Sequence, residues 1–186
     1  WRTLLPEDVD NLLVPVCLSA SHIGWGAVRL EPTWMALGES AAWAAVIARQ
    51  QGREPADIEV DALQRQLAEQ RIMLSFFNDV DQRVAEDWYP AVQYLGTQGY
   101  FGSYDAKPDE YLCRPLAEAW AAHYHALRNG AVGDCTAGAR RIRQAEQRAD
   151  KTRITAAEFA RLLGDSASQQ SEATLTRAEA CRMLYE

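Results

Sequence analysis

Histidine and cysteine are the side chains that most often carry acid–base, nucleophilic or metal chemistry, and both are scarce in this sequence. They are His22, His123, His125, Cys17, Cys113, Cys135 and Cys181. No two cysteines have the C-x-x-C spacing of a zinc or redox site, and the histidines supply no finger-like ligand pattern. We therefore predict no metal site and assign no catalytic residue.

The surroundings of these residues favour structural roles for most of them. Cys17 lies in an apolar run and Cys181 in an apolar helical pattern, so both are expected to be small buried side chains. A Cys113–Cys135 disulfide stays open, since the sequence cannot test its geometry. His22 lies in a predicted loop and is the one candidate acid or base there, although a lone histidine is more often structural.

The charge balance argues against a nucleic-acid partner. The net charge is −7 and the pI is near 5.0, whereas phosphate binding needs clustered Lys and Arg. The one basic cluster, residues 140–143, is followed by Glu146, Arg148 and Asp150, a pattern typical of a solvated helix face. The sequence also has no apolar run of about eighteen residues, so we predict no transmembrane segment.

The elements of the front part are a short strand and two helices. Residues 11–18 are apolar and predict a strand, and the two glycines of Gly24-Trp25-Gly26 predict a loop. A helix is expected from about Thr33, which would cap it, to residue 51, with Gly52 ending it. Because its residues are small nearly all round, we expect this helix to be buried. A second helix is predicted from about 60 to 73.

The rear part has the features of a helical repeat. Residues 88–95 and 115–127 have helical apolar spacing, and a Gly- and Tyr-rich loop is predicted over 100–109. The pattern apolar-Thr-x-Ala-Glu occurs at 154–158 and 175–179, and each copy is a capping box. A looser copy at 112–118 is distorted by Pro115. Connections are expected over 129–138 and 165–173.

The front part carries a resemblance to a known family. The residues that carry it are Asn11-Leu12-Leu13-Val14, Cys17-Leu18-Ser19-Ala20-Ser21-His22, Arg29, Pro32, Met35-Ala36-Leu37-Gly38 and Ser40-Ala41-Ala42. In this order they resemble the end of FAD-dependent oxidoreductases, in particular a bacterial family also labelled xanthan lyase. The resemblance implies that the helix after the strand points its N-terminus at the pyrimidine end of the flavin.

The resemblance also implies which residues lie nearest the flavin: Arg29, Pro32, Thr33, Trp34, Met35 and Ala36. The opposing interpretation is that Arg29 pairs with a carboxylate and that Met35 packs in a core. The sequence lacks the G-x-G-x-x-G fingerprint that cradles the diphosphate. We therefore expect FAD in a larger parent protein and none in these residues alone, which would be a C-terminal portion and not a complete enzyme.

The rear part resembles S-layer homology repeats. The residues that carry this are Phe77-Asn78-Asp79-Val80, Trp88, Ala91-Val92-Gln93-Tyr94-Leu95, Gly99-Tyr100-Phe101-Gly102 and Thr176-Arg177-Ala178-Glu179. Such repeats often bind cell-wall polysaccharide, which would make Arg177 a ligand for anionic sugar groups. The second copy has Ala156 in place of this arginine. The alternative is a structural role, in which the module caps the oxidoreductase or drives a homo-oligomer.

Together these observations predict a mainly α chain: a repeat-like helical bundle with a short N-terminal strand and helices left from a flavin-binding domain. The predicted domains are 1–75, the end of the flavin domain, and 76–186, the S-layer homology-like module. The expected partners are the upstream part of the same polypeptide and cell-wall polysaccharide. The expected location is the cell envelope or periplasm. The competing hypothesis is an anchoring module with no redox chemistry.

Overall fold

The computed structural model describes residues 1–83, 85–130, 135–165 and 171–186, with the backbone only at 135 and 136. The described residues form eight α helices and no strand, which confirms the predicted mainly α class. They divide into two compact units, Trp1–Gln70 and Arg71–Glu186. The assignment of residues 1–75 and 76–186 to two named domains stays a prediction.

The first unit is built around one long helix. It contains α1 (His22–Val28), α2 (Glu31–Gln51) and α3 (Val60–Glu69), with 3-10 turns at Arg2–Leu4 and Pro55–Asp57. The helix α2 packs against α3. Its buried residues are Ala41, Ala44, Ile47 and Ala48. Only one side of α2 is therefore buried, and the expectation of a helix buried nearly all round is not met by this unit.

Two elements ahead of α2 differ from the prediction. Residues 11–18 form no strand; the backbone N–H of Val14 donates to the carbonyl of Leu4 at 2.8 Å instead. A strand needs a paired neighbour, and the described part of this unit contains none. The predicted glycine loop is helix α1, because Ser21 caps that helix by accepting from the N–H of Gly24 at 3.1 Å.

The bounds of α2 and α3 also show what starts and stops them. The helix α2 begins at Glu31 with Leu30 as its N-cap, so Thr33 does not cap it. Proline is well suited to a first helical turn, which is why the helix starts ahead of Pro32. Gly52 ends the helix with a φ of 63°, as predicted. The helix α3 ends at Glu69, because Arg71 has a φ of 61° that a helix cannot continue through.

The second unit is a group of five helices. They are α4 (Tyr89–Thr97), α5 (Arg114–Arg128), α6 (Cys135–Glu146), α7 (Ala156–Leu163) and α8 (Arg177–Tyr185). The helix α5 packs on α6 and α7, and α8 packs on α4 and α7. Trp120, Tyr89 and Phe159 are the largest fully buried side chains. Residues 131–134 and 166–170, within the predicted connections, lie outside the described residues.

A ring of three backbone hydrogen bonds joins the segments that precede α5, α7 and α8. Leu112 N–H donates to Leu175 O at 2.8 Å, Leu175 N–H to Ile154 O at 3.0 Å, and Ile154 N–H to Leu112 O at 3.1 Å. All three side chains are buried. The three copies of the sequence pattern therefore meet with approximate threefold symmetry, and their apolar residues form the centre of the unit.

Both predicted capping boxes are confirmed. Thr155 and Glu158 start α7, and Thr176 and Glu179 start α8, each with both reciprocal hydrogen bonds present. Hydrogen bonds from the backbone N–H of Thr155 and from Arg114 lower the pKa of Glu158. The box carboxylate is thus held in its charged form at the positive end of α7.

Candidate functional sites

The residues expected nearest a flavin lie together at the start of α2. Arg29 ends α1, and Pro32, Thr33, Trp34, Met35 and Ala36 lie in the first two turns of α2. Leu30, the N-cap residue, makes no side-chain capping bond. The first backbone N–H groups of α2 therefore lack a capping side chain, and the helix presents partial positive charge there.

The side chains around this helix start are unusually exposed for apolar residues. Met35 is 75% exposed and Ile23 is 88% exposed, and Leu30 is exposed as well. Met35 therefore does not pack in a core of this unit. Arg29 is exposed and makes no ion pair within the described residues. An apolar patch of this kind on a protein surface usually marks a binding or interaction site.

Two tryptophans flank the same helix start. The rings of Trp25 and Trp34 lie 6.3 Å apart at 42°. The indole nitrogen of Trp34 is buried and has no hydrogen-bond partner among the described residues. A buried indole N–H normally finds an acceptor, so this donor is unsatisfied among the described residues.

The residues present fit one end of FAD and not the other. An uncapped helix N-terminus, an unpartnered indole N–H and exposed apolar side chains suit the flat ring with its polar pyrimidine edge. The 186 residues contain no glycine-rich phosphate cradle.

His22 was predicted to lie in a loop as a candidate acid or base. In the structure it is the exposed first residue of α1.

A second candidate site surrounds Arg177 in the second unit. Arg177 is only 3% exposed. Its guanidinium is 2.9 Å from Glu146 and lies over the rings of Phe101 and Trp120, at 5.9 and 5.7 Å from their centroids. The Nε of Arg177 is buried without a partner among the described residues. The guanidinium is thus held in place by a charge and two aromatic faces.

Arg177 lines a cavity of about 300 Å³. The cations of its lining are Lys107, Lys151, Arg153 and Arg177, and the anions are Glu110 and Glu146. Lys107 pairs with Glu110 at 3.2 Å, and Lys151 donates to the backbone carbonyl of Glu146. The guanidinium of Arg153 lies 3.8 Å from the ring centroid of Tyr111. Positive charge exceeds negative charge at this cavity, although the whole chain is acidic.

Of the four cations that line the cavity, only Arg177 was predicted from the sequence. One of these other cations, Arg153, could have been found by aligning the three copies of the repeated pattern. Arg153 lies two residues before the cap position of its copy, as Tyr111 does in the first copy and Thr174 in the third. In the structure Arg153 bridges to Cys113, and Tyr111 bridges to Thr176.

The remaining candidate residues have structural surroundings. His123 and His125 hydrogen-bond the backbone carbonyls of Gln98 and Leu162 at 2.8 and 2.9 Å. Cys181 is buried as predicted, whereas Cys17 is exposed, since the run around it forms no buried strand. Cys113 is a free thiol, and the side chain of Cys135 lies outside the described residues. No group of three or more potential metal ligands occurs in the described part of the chain.

Comparisons with known proteins place the front of the chain in context. Residues 1–67 match the family model described as FAD dependent oxidoreductase. No curated protein and no solved structure is significantly similar to the chain. The match ends within α3, close to the end of the first unit at Gln70. Residues 1–67 are therefore similar in sequence to FAD-dependent oxidoreductases. Among the described helices, none is long and apolar enough to cross a bilayer.

Proposed function

We propose that this chain is part of a flavoprotein oxidoreductase in which the start of α2 faces the pyrimidine end of FAD. The observation that carries the proposal is the family match over residues 1–67, which coincides with the first compact unit. The finer label xanthan lyase is supported only by the sequence resemblance. When bound, FAD supplies the acceptor for the electrons of the oxidised substrate.

The role of the residues at this helix start is electrostatic. The uncapped N–H groups of α2 and the charge of Arg29 would stabilise negative charge on a flavin held there. Thr33 and Trp34 add side-chain donors, and Pro32, Met35 and Ala36 provide a close apolar wall. No proton transfer is assigned to these residues.

The diphosphate of FAD needs a cradle from a separate segment. These 186 residues contain no glycine-rich fingerprint after a strand, so we propose that upstream residues of the same polypeptide supply it. On this proposal the 186 residues alone bind no FAD.

Flavin content and reduction potential test the proposal. The complete gene product should purify with bound FAD, and the 186 residues alone should not. In the complete protein, Met35→Asp should lower the flavin reduction potential, because a carboxylate opposes the charge that forms on reduction. The matched control is Val60→Asp at the start of α3, which should leave the potential unchanged. Stoichiometric FAD on the 186 residues, or equal potentials in both variants, would contradict the proposal.

A second candidate function belongs to the second unit. We propose that it is an S-layer homology-like module that binds anionic cell-wall polysaccharide and holds the protein in the cell envelope or periplasm. The observation in its favour is the buried guanidinium of Arg177 at a cavity with excess positive charge. An acidic polymer is attracted to such a surface, and the attraction weakens with salt.

Retention on purified acidic wall polysaccharide tests this second function. The chain should be retained at low ionic strength, and the double variant Lys151→Ala/Arg153→Ala should be retained less. Both substituted residues are exposed, so the fold should persist. Equal retention of the double variant, or no retention of the unmodified chain, would contradict polysaccharide binding by the second unit. A dimer on a sizing column without retention would favour the structural alternative, a homo-oligomer.

A further inference from the structure

We propose that the outer face of α2 joins two copies of this chain in an antiparallel dimer. The outer face consists of Glu39, Ala42, Val46 and Arg49, which are all exposed. The proposal goes beyond the flavin and polysaccharide roles and depends on neither. Its basis is the order of these side chains along the helix, in which both charge and size match a second, reversed copy.

The spacing of the outer face is that of a coiled-coil seam. Its residues are three, four and three positions apart, at 39, 42, 46 and 49. This alternation keeps the side chains in one line along a helix, and it is the spacing with which two helices pack side by side. Residues that α2 buries, such as Ala44 and Ala48, lie on the opposite side of the helix. The outer face is therefore not covered within the described part of its unit.

The two charged residues of the outer face form no ion pair among the described residues. Glu39 lies five residues before Ala44, and Arg49 lies five residues after it. A twofold axis at the level of residue 44 therefore places Glu39 of each copy beside Arg49 of the other. In a parallel pair each charge would face a like charge, which opposes association. The charges thus select the antiparallel arrangement.

The apolar residues between these charges have the same symmetry. Ala42 lies two residues before the level of the axis and Val46 two residues after it, so the small side chain faces the larger one in both copies. A groove of about 140 Å³ lies here, lined by Glu39, Ala42, Trp43 and Val46. The groove offers space to the valine of the other copy. Trp43 is half-buried in the single chain and lies beside the axis, where it would meet Trp43 of the second copy.

The size of the outer face limits the affinity. From residue 39 to residue 49 the face is about 15 Å long, at a rise of about 1.5 Å per residue. A strip of this length on one helix is smaller than a standard interface, which buries roughly 1,200–2,000 Å² in total. We therefore expect a weak dimer. Added salt should weaken it further, because its two ion pairs lie near solvent.

Sedimentation equilibrium of the 186 residues at low ionic strength tests the dimer over a wide range of concentrations. Arg49→Glu should weaken association about tenfold or more, because Glu39 of the other copy then faces a like charge. Glu39→Arg should have a similar effect. Both positions are exposed, so the fold should persist, and circular dichroism checks it. The matched control is Glu54→Arg, an exposed charge change outside the outer face, which should leave association unchanged.

A mixture of the two charge variants tests the arrangement of the helices. Glu39→Arg and Arg49→Glu should each associate weakly alone. When they are mixed, the two changed residues face each other with opposite charges, and so do the two unchanged ones. Association of the mixture should return to that of the unmodified chain. Neither a folding defect nor a contact elsewhere on the chain would produce this rescue.

Several results would overturn the dimer. They are equal association of Arg49→Glu and the unmodified chain, monomers at every concentration, and a mixture that stays monomeric. The complete gene product should dimerise as well, and a monomer there would also contradict the proposal, because another segment would then cover the outer face. Flavin content is measured separately from association, so failure of the flavin proposal and failure of the dimer are distinguishable.

Discussion

The helices α2 and α5 both begin without a side-chain cap, yet their surroundings are opposite. The start of α2 is flanked by exposed apolar residues such as Ile23 and Met35. The start of α5 opens onto a cavity whose lining includes Arg153 and the buried Arg177. An uncapped N-terminus attracts negative charge in both places. The neighbouring side chains differ, since they are apolar and exposed at α2 and include arginines at α5.

The two units also differ in how completely they bury their apolar side chains. The second unit closes its own core, because Leu112, Ile154 and Leu175 join in a ring of hydrogen bonds and are buried together. The first unit buries only one side of α2 and leaves apolar side chains in contact with solvent. An uncapped helix end therefore has to be interpreted together with the burial of the side chains around it.

The largest contrast between the units should appear in thiol reactivity. Burial raises the pKa of Cys181 in the second unit from 9.0 to about 12. Since the thiolate is the reactive form, that thiol should react about a thousandfold more slowly than one of ordinary pKa. Cys17 in the first unit is exposed and should react first with iodoacetamide at pH 8. Peptide mapping by mass spectrometry measures both rates.

Denaturant is the control for this labelling experiment. Unfolding removes the burial, so Cys17 and Cys181 should then react at similar rates. Rapid labelling of Cys181 in the folded chain would show that the second unit opens readily, and the contrast between the units would fail.

Core substitutions should give the next largest effect. Ile154→Ala removes a fully buried side chain from the ring and should cost about 2–5 kcal/mol of unfolding free energy. Met35→Ser changes an exposed side chain of α2 and should alter the free energy by less than about 0.5 kcal/mol. Urea denaturation followed by circular dichroism compares them. A loss from Met35→Ser as large as that from Ile154→Ala would mean that the first unit uses Met35 as core.

The smallest effect should separate the capped and uncapped helix starts. Thr155→Ala deletes the cap of α7 and should cost about 1 kcal/mol. Cys113→Ala, at the equivalent position of α5, should cost much less as a cap, because Cys113 makes no capping bond. Urea midpoints of the two variants provide the measurement. Equal losses of stability in the two variants would contradict the conclusion that α7 has a side-chain cap and α5 has none.

Some elements could be predicted because their signals are local. Gly52 ends α2 through a left-handed conformation, and Thr155 and Thr176 start their helices through bonds to residues three positions away. Other elements were mispredicted because two local signals competed, and the signal that decided the structure was weak in the sequence. Ser21 caps a helix where two glycines suggested a loop, and neither Gly24 nor Gly26 has a positive φ. Residues 11–18 have strand composition but no strand to pair with.

The two candidate sites also differ in how far the sequence could predict them. The residues at the start of α2 are consecutive, so a sequence pattern could name them together, and the family match covers them all. The cavity collects Lys107, Lys151, Arg153 and Arg177 from separate segments. Only Arg177 belonged to a recognisable motif, and its burial against Phe101 and Trp120 has no signature in the sequence.

The sequence by itself determined that the chain is mainly helical, where α7 and α8 begin and where α2 ends, and that its front resembles FAD-dependent oxidoreductases. Those properties depend on short-range bonds and on side-chain order along the chain. Only the tertiary structure decided that three copies of one pattern share a ring, and that the helix start after Leu112 borders the cavity lined by Arg177. The physical reason is that the ring and the cavity join segments distant in sequence, whose meeting depends on how the whole core packs.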